Sequence, residues 1–301
     1  MLADTAPPLS GDLCPTFGNG FVAATICPHQ DIESSSGTFL SGYYSGTCPA
    51  TGSADGTGQN FRATLPTVNL FAAPHNATYV GMALDLQNAT VTRRFQLPEC
   101  ALEVAYFAHR SIRHLMVLAV TASAFSPPSV NDGEVPRCVV RPMASSSPLD
   151  QQCHRHNNAS TTACTSVAEV AETSRQQRTV VAIHADSLPS SFELTTAAPR
   201  QVLLTAFATN LEPALATAGS AVLNTVAQQR YQHARATSLP SLEYAHRAAW
   251  SELWKSDLSI GGNTSTTAAL RSSAYYILSS VRADWAFGSS PGGLPSTSYH
   301  G

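Results

Sequence analysis

The sequence predicts a mainly β N-terminal sandwich followed by helices, and three observations lead to this fold class. Up to residue 210, short segments rich in β-branched and aromatic residues recur between Pro, Gly, Asn and Asp, which is typical of strands. After Pro213 the apolar residues recur with the period of a helix. The chain has 301 residues, 43% of them hydrophobic, so it can bury a sizeable core. We therefore expect a β-sandwich, a helical linker and the first helix of a second domain.

The strands predicted in the first part of the chain are short. In residues 101–107, Leu102, Val104 and Tyr106 share one face, which is the alternation of a half-buried strand. Strands are predicted in the same way at 20–26, 77–86, 90–97, 101–110, 114–124, 178–186 and 200–210. The stretch 126–166 is rich in Ser, Pro and Asn, and we expect a long insertion or flexible loop there.

Helices are predicted in the last third of the chain. They cover residues 214–235, 241–257 and 266–287. Pro240 and Ser241 mark the start of the second helix. Thr264 or Ser265 can cap the third, and Gly288 ends it. The apolar stripe of the third helix consists of Leu270, Ala274, Ile277, Leu278, Val281 and Trp285. A stripe of this width usually packs against a partner helix. The sandwich and the helix at 241–257 can cover only part of it, so we expect the rest to be exposed in this chain.

The composition excludes several classes of function. Only 12% of the residues are charged, the net charge is −3, and no run of Lys and Arg exists, so a nucleic-acid-binding surface is not expected. No apolar run reaches the roughly 20 residues that span a bilayer. Residues 1–12 lack the charged and apolar regions of a signal peptide. Neither a G-x-S-x-G nucleophile elbow nor a P-loop is present.

Two local patterns resemble ligand-binding motifs, but neither predicts a cofactor or a metal. "GNGFVA" at 18–23 matches a loose dinucleotide-binding pattern, yet strand-like residues follow it where that motif needs a helix, so we expect a tight turn. "CHRH" at 153–156 together with Cys164 offers residue types that bind zinc. Cys153 and His154 are adjacent, however, which does not fit zinc spacing. We expect a loop there, with a Cys153–Cys164 disulfide if the protein is secreted.

Sequons and cysteines bear on the cellular compartment. The candidate glycosylation sites are Asn76, Asn88, Asn158 and Asn263. The cysteines are residues 14, 27, 48, 100, 138, 153 and 164. Their odd number fits either a reduced cytosolic protein or a truncated secreted one. The compartment stays open between lumenal and cytoplasmic, and the sequons favour the former.

No pair of acidic residues is recognisable as catalytic. A glycosidase needs two carboxylates that flank the bond to be cleaved. The acidic residues of the helical region are expected on solvated surfaces: Glu243, Glu252, Asp257 and Asp284. In "YFAHRS" (106–111), His109 and Arg110 follow a predicted strand. Either could contact a sugar, but hydrogen bonding at a corner of the sandwich is the favoured interpretation.

Several segments together resemble glycoside hydrolase family 65. They are "GDLCPTFGNGFVAATI", "SGYYSGTC…FRATLPTVNL", "EVAYFAHRSIRHLMVLAV", "HRAAWSELWKSDLSI", "ALRSSAYYILSSVRAD" and "SSPGGLPSTSYHG", in the order of the family. The conjunction of the helix pair at 241–285 with "SPGGL…Y-x-G" is the specific part. The resemblance covers nearly the whole chain and is weakest across 126–175.

The resemblance implies an N-terminal β-sandwich, a helical linker, an (α/α)₆ barrel and a small C-terminal β domain. On this basis we expect the sandwich at 1–212, the linker at 213–260 and the truncated start of the catalytic barrel at 261–301. It also implies an inverting mechanism, in which a carboxylic acid protonates the glycosidic oxygen and a carboxylate activates water. The catalytic residues are expected beyond residue 301.

The implied reaction removes glucose from a glucosylated disaccharide such as glucosyl-galactosyl-hydroxylysine, so the expected partner is a carbohydrate. The loop that approaches the substrate is carried over onto Pro291, Gly292, Gly293 and Leu294. The residues expected near the substrate are Tyr299, His300 and Gly301. Acid trehalase or disaccharide phosphorylase activity stays open within the family. The alternative from another class is a non-catalytic carbohydrate-binding sandwich protein. No nucleic acid or membrane partner is expected, a homodimer stays open, and residues 1–301 alone are expected to be inactive.

Overall fold

Fifteen strands form the first part of the described protein, and helices follow them. The computed structural model describes residues 2–4, 14–26, 37–44, 62–66, 71, 73–126, 135–142, 153–155, 160–168, 179–288 and 294. The strands are β1 Leu2–Asp4, β2 Thr16–Gly18, β3 Val22–Thr25, β4 Thr38–Tyr44, β5 Arg62–Leu65, β6 Thr78–Asp85, β7 Thr90–Gln96, β8 Ala101–Ala108, β9 Leu115–Ser123, β10 Arg137–Val140, β11 Cys153–Arg155, β12 Thr161–Ala168, β13 Thr179–Asp186, β14 Phe192–Thr195 and β15 Arg200–Thr209. The helices are α1 Ser220–Arg235, α2 Leu239–Leu253 and α3 Thr264–Ser280, after a 3₁₀ turn at Pro213–Leu215.

Two antiparallel sheets form the sandwich. The large sheet has nine strands in the order β1-β6-β7-β8-β9-β15-β13-β12-β11, and the small sheet has the order β2-β3-β4-β5. Phe17 and Leu40 of the small sheet share one core cluster with Leu102, Val104 and Phe207 of the large sheet. Burial of the facing apolar surfaces therefore holds the two sheets together.

The helices cover the opposite face of the large sheet. Strand β15 is covered on both of its faces. Leu203 and Phe207 belong to the core between the sheets, whereas Leu204 packs with Tyr231 of α1. Leu223 of α1 belongs to a third cluster, against β13. Since the central strands are covered on both faces, their sequences are nearly continuous apolar runs rather than alternating ones.

A disulfide links the large sheet to a separate two-stranded sheet. Strands β10 and β14 pair with each other, and Cys138 of β10 is bonded to Cys100, just before β8. Cys14 and Cys164 each take part in a disulfide as well. The backbone register of β11 and β12 places Cys153 directly opposite Cys164, the arrangement that the predicted pairing requires.

The predicted fold class is confirmed, since a β-sandwich precedes a few helices. The strands predicted from the sequence correspond to β3, β6, β7, β8, β9, β13 and β15. The other strands were not predicted, and most of them contain few apolar residues in alternation. The division into domains at residues 212 and 260 stays a prediction.

The prediction of a long loop across 126–166 is wrong. Strands β10, β11 and the start of β12 lie in this stretch, and β12 pairs with β13 along its whole length. The buried residues of β12 are Thr162, Cys164 and Ser166. These side chains are small and polar, so they do not produce the apolar alternation that predicts a strand.

The third predicted helix ends earlier than expected. Helix α3 stops at Ser280, where Val281 is extended with φ −130° and ψ 155°, so the prediction that Gly288 ends it is wrong. Trp285 is only 7% exposed because it packs on the sandwich, whereas Ile277 on α3 is 63% exposed. Part of the predicted stripe is therefore exposed, as expected, but its last members do not lie on a helix.

The helix starts differ from the sequence prediction by a few residues. Asn263, and not Thr264 or Ser265, caps α3 by accepting a hydrogen bond from the amide of Thr266 at 2.9 Å. Helix α2 begins at Leu239 with Ser238 as its cap, slightly before the predicted start.

Candidate functional site

A junction between the sandwich and the helical segment is held by many polar contacts. It consists of the β2–β3 turn (19–21), the β8–β9 turn (109–114) and residues 281–287, which follow α3. These residues lead directly to the loop that is predicted to approach a substrate. We call this site the sandwich–helix junction.

Asn19 is the centre of the β2–β3 turn and is fully buried. Its side-chain nitrogen donates to the carbonyl oxygens of His109 at 3.0 Å and Arg113 at 2.8 Å. Its side-chain oxygen accepts from the amides of Phe21 and Val22, both at 2.9 Å. One amide side chain thus fixes its own turn and ties it to the β8–β9 turn. The "GNGFVA" pattern is the tight turn into a strand that the sequence predicts.

Gly20 brings this turn against the end of α3. Its φ is +84°, and a Cβ at this position would lie 2.4 Å from the carbonyl carbon of Val281. Its amide donates to the carbonyl oxygen of Ser279 at 2.8 Å. Only glycine combines this backbone conformation with such a close approach.

Arg110 satisfies the carbonyl groups at the C-terminus of α3. One guanidinium nitrogen donates to the carbonyl oxygens of Leu278 at 2.8 Å and Asn19 at 2.9 Å, and another donates to Val281 at 3.3 Å. The guanidinium lies 5.2 Å from the ring centre of Trp250. Burial lowers the pKa of Arg110 to about 10, so the side chain stays charged at neutral pH. A cation here complements the partial negative charge of the helix end.

Arg282 continues this network beyond α3. It donates to the carbonyl oxygen of Arg110 at 2.7 Å and to that of Asn19 at 3.2 Å. It also pairs with Asp284 at 2.7 Å, and the hydrogen bond from Arg282 keeps the pKa of Asp284 below its usual value. Asp284 therefore holds the conformation of the segment, which is a structural role.

Arg113 joins the junction to the base of the helical region. Its guanidinium lies 5.4 Å from the ring centre of Trp285 and donates to the carbonyl oxygen of Asp284 at 3.2 Å. It also donates to Glu212 at 3.1 Å, and Arg230 donates to both oxygens of the same carboxylate at 2.7 and 2.6 Å. Burial alone would raise the pKa of Glu212, but the two arginines lower it. Glu212 is therefore a charged structural anchor.

Two aromatic side chains fasten residues 285–287 to the sandwich. The ring of Trp285 meets that of Phe21 edge-on at 4.7 Å, and its indole nitrogen donates to the carbonyl oxygen of Ser41 at 3.2 Å. The ring of Phe287 lies so close to Gly42 that a Cβ there would be 2.7 Å from it. The path of this segment is therefore set by strand β4.

His109 and Arg110 take the structural role that the sequence favoured over sugar contact. His109 is fully buried, and its Nδ1 accepts from the amide of Ile112 at 3.0 Å. The neighbouring His246 of α2 accepts from the amide of Arg110 at 3.1 Å and contacts the carbonyl oxygen of Asn88 at 2.7 Å. These contacts dock α2 on the corner of the sandwich.

The predicted substrate-proximal residues Tyr299, His300 and Gly301 lie outside the described residues, as do Pro291, Gly292 and Gly293 of the predicted loop. Leu294 is described and fully buried, and its amide donates to the hydroxyl of Ser280 at 3.0 Å. Leu294 therefore contacts the end of α3.

The acidic residues of α2 and the following turn pair with cations, and Glu252 and Asp257 are exposed whereas Glu243 is half-buried. Glu243 pairs with Arg247, Glu252 with Lys255 and Asp257 with Arg271. Within the described ranges, no group of His, Cys, Asp or Glu is arranged to hold a metal ion. No helix in the described part of the chain is long and apolar enough to cross a membrane.

A shallow cleft of about 400 Å³ lies beside the start of α3. It is lined by Leu86, Ile260, Gly262, Asn263, Thr264, Thr267, Ala268 and Arg271. The cleft is not predictable from the sequence, because its residues come from the β6–β7 turn, from the segment before α3 and from the first turns of α3 itself. Its only feature visible in the sequence is the sequon at Asn263.

The fold of the described residues is shared with carbohydrate-active enzymes. A solved structure assigned as a kojibiose phosphorylase from the human microbiome superposes with a TM-score of 0.58 at 13% sequence identity, covering 88% of this chain and 39% of that chain. At this identity the likeness concerns the fold alone.

Sequence similarity points to the same class. The chain is 25% identical over 303 residues to the protein-glucosylgalactosylhydroxylysine glucosidase of Dictyostelium discoideum, covering 96% of this chain and 39% of that protein. It is 38% identical over 68 residues to a kojibiose hydrolase of Mucilaginibacter mallensis, covering 23% of this chain and 10% of that protein. No family model matches the chain. The predicted resemblance to glycoside hydrolase family 65 is confirmed. The chain spans about two-fifths of the length of the Dictyostelium glucosidase.

Proposed function

We propose that this chain forms the sandwich and first helices of an enzyme that removes glucose from a glucosylated disaccharide, such as glucosyl-galactosyl-hydroxylysine. The observation that carries the proposal is the sequence similarity to the Dictyostelium glucosidase, which extends over 96% of the chain. The kojibiose-acting relatives support the broader class of glucoside substrates.

In this proposal the sandwich–helix junction is a positioning device. Arg110 and Arg282 fix the carbonyl groups at the end of α3, and Trp285 fixes the next segment to strand β4. Residues 289–301 start from this fixed point. We infer that the junction aims Tyr299, His300 and Gly301 toward the sugar, since a small displacement of such a segment is costly to catalysis.

The catalytic carboxylates are proposed to lie outside the described residues. Within the described part of the chain, the buried carboxylates already have structural partners. Glu212 binds two arginines, and Asp186 accepts hydrogen bonds from Tyr231 and the amide of Leu204. An inverting glycosidase instead needs one protonated acid and one free base on either side of a sugar.

The experiment measures product release by the whole protein, that is, by the full reading frame that contains this chain. Glucosyl-galactosyl-hydroxylysine, kojibiose and trehalose are each incubated with the enzyme, with and without inorganic phosphate. Release of glucose as the β-anomer from the first substrate, independent of phosphate, is the expected result. Glucose 1-phosphate formed only with phosphate would replace the hydrolase by a phosphorylase.

The same assay separates the enzyme from the non-catalytic alternative. If the folded whole protein binds these sugars but releases no product from any of them, the proposed activity is wrong and a carbohydrate-binding protein is favoured. Residues 1–301 assayed alone are expected to show no turnover. Turnover that is abolished by changing an acidic residue in this chain would contradict the proposed location of the catalysts.

A further inference from the structure

The sequons of this chain differ in their structural surroundings. Asn158 lies outside the described residues. Asn76 is exposed in the turn before β6, with a φ of 60°. Asn263 is exposed at the start of α3, whereas Asn88 is half-buried between β6 and β7. Because an N-linked glycan is large and hydrated, these positions cannot accept it equally.

Asn88 is already used for packing. Its side-chain nitrogen, the atom that would carry a glycan, donates to the carboxylate of Asp85 at 2.8 Å. Its backbone carbonyl oxygen accepts from the hydroxyl of Thr90 at 3.0 Å and contacts Nε2 of His246 at 2.7 Å. A sugar on this nitrogen would leave it only one hydrogen for the bond to Asp85, and it would crowd the half-buried site where α2 docks.

Asn263 uses only its oxygen. The side-chain oxygen accepts from the amide of Thr266 at 2.9 Å, which caps α3. A glycan attached to the nitrogen leaves this oxygen and the cap in place. Modification and helix capping are therefore compatible at the exposed Asn263, whereas at the half-buried Asn88 the nitrogen itself makes a hydrogen bond and has less room for a sugar.

The cleft beside α3 is a surface against which a sugar attached to Asn263 can pack. Asn263 itself lines this space of about 400 Å³, together with Leu86, Ile260 and Arg271. Ile260 is 45% exposed, so it presents apolar surface that the face of a sugar ring can cover. The rim includes the hydroxyl-bearing side chain of Thr264.

The disulfides point to a compartment in which glycosylation occurs. Cys100 and Cys138 are bonded to each other, and Cys14 and Cys164 each take part in a disulfide. Structural disulfides are typical of proteins that fold in an oxidising compartment. The sequons of such a chain meet the machinery that modifies them.

We propose that Asn76 and Asn263 carry N-linked glycans, that Asn88 does not, and that the glycan at Asn263 packs over the cleft formed with Leu86 and Ile260. This inference goes beyond the proposed reaction and does not depend on it. Its test measures sugar attachment and local protection, and neither depends on enzymatic activity.

Glycopeptide mass spectrometry of the protein purified from the organism that makes it tests the choice of sites. Peptides containing Asn76 and Asn263 are expected to lose a glycan mass on treatment with peptide N-glycosidase, and the peptide containing Asn88 is expected to be unmodified. An unmodified Asn76 or Asn263, or a glycan on Asn88, would overturn the assignment.

A matched set of variants separates the glycan from the helix cap. Ser265→Ala destroys the sequon but keeps Asn263 and its cap, and it is expected to remove one glycan mass. Thr78→Ala is expected to do the same for Asn76, whereas Thr90→Ala is expected to leave the mass of attached glycan unchanged. A loss of glycan mass in Thr90→Ala would contradict the proposal.

Amide exchange tests the packing over the cleft. Residues 260–267 of the glycosylated protein are expected to exchange more slowly than the same residues of Ser265→Ala, and enzymatic removal of the glycan is expected to abolish the difference. Equal exchange in the two glycosylation states would show that the sugar projects into solvent, and the cleft would lose its proposed role.

Discussion

The indole nitrogen of Trp285 donates a hydrogen bond to the carbonyl oxygen of Ser41 at 3.2 Å, across 244 positions of the sequence. The same side chain meets Phe21 edge-on and is only 7% exposed. The segment after α3 is thus held by the small sheet and not by the helix that precedes it. The direction in which the following loop leaves therefore depends on residues of the sandwich.

Changing Trp285 is expected to loosen this attachment in two steps. Trp285→Phe keeps most of the ring contact but removes the hydrogen bond, and we expect a loss of about 1 kcal/mol in the free energy of unfolding. Trp285→Ala also empties the aromatic site, and we expect a loss of about 3–5 kcal/mol. Urea unfolding of the whole protein measures both changes.

Tyr244 provides the control for this series. Its side chain is 76% exposed on α2, so Tyr244→Ala is expected to change the free energy of unfolding by less than about 0.5 kcal/mol. If Trp285→Ala were as mild as Tyr244→Ala, the tryptophan would not anchor the segment.

Two glycines with similar backbone angles test the close approach at the junction. Gly20 has a φ of +84° and lies against Val281. Gly262 has a φ of +77°, and a Cβ at this position would have no neighbouring atom within 4 Å. Gly262→Ala is expected to cost about 1 kcal/mol, because alanine is strained at positive φ. Gly20→Ala adds a clash with backbone, and we expect it to cost at least about 2 kcal/mol more. Equal melting temperatures for the two variants would show that the β2–β3 turn does not pack closely against the end of α3.

The strands that were predicted from the sequence are those that carry large apolar or β-branched side chains. Strand β9, Leu115–Ser123, is an example. Strand β12 was missed because it buries threonine, cysteine and serine. The end of α3 was missed because the helical period continues through Trp285 in the sequence. The helix stops where Arg110 and the β2–β3 turn bind its last carbonyl groups, and these contacts are distant in sequence.

The candidate site was only partly predictable for the same reason. The turn at 18–23 and the structural role of His109 and Arg110 could be predicted from the sequence. The sequence could not show that three arginines meet at this corner, because their acceptors include backbone carbonyl oxygens, which every residue has. The cleft at Asn263 is also formed by residues that are distant in sequence from Leu86.

The disulfide between Cys100 and Cys138 is expected to contribute strongly to stability. It closes a loop with a sequence separation of 38 residues, and the entropy model gives a contribution of about 3–5 kcal/mol for loops of this size. Cys100→Ala/Cys138→Ala is expected to lower the urea midpoint accordingly, and a reducing agent that opens this bond is expected to lower the midpoint of the native protein. If the double variant matched the native protein under oxidising conditions, the bond would not constrain the fold.

Acid is expected to destabilise the docking of α2 through His109 and His246. Burial lowers the pKa of His109 to about 4 and that of His246 to about 3, below the value of about 6.5 for an unfolded histidine. Between these values the unfolded chain binds protons that the folded chain does not. The stabilising contribution is therefore complete above about pH 6.5 and is lost as the pH falls toward the folded pKa values.

Unfolding midpoints measured between pH 7 and pH 4 check this expectation with a matched pair of variants. His246→Gln is expected to lower stability at neutral pH, since its contacts with Arg110 and Asn88 are disturbed, and to make stability less dependent on pH. The reduction in slope should approach about 1.4 kcal/mol per pH unit, the value for one proton. His233 is exposed on α1, so His233→Gln is expected to keep the steep slope of the native protein. If both variants kept that slope, the acid sensitivity would come from groups other than His246.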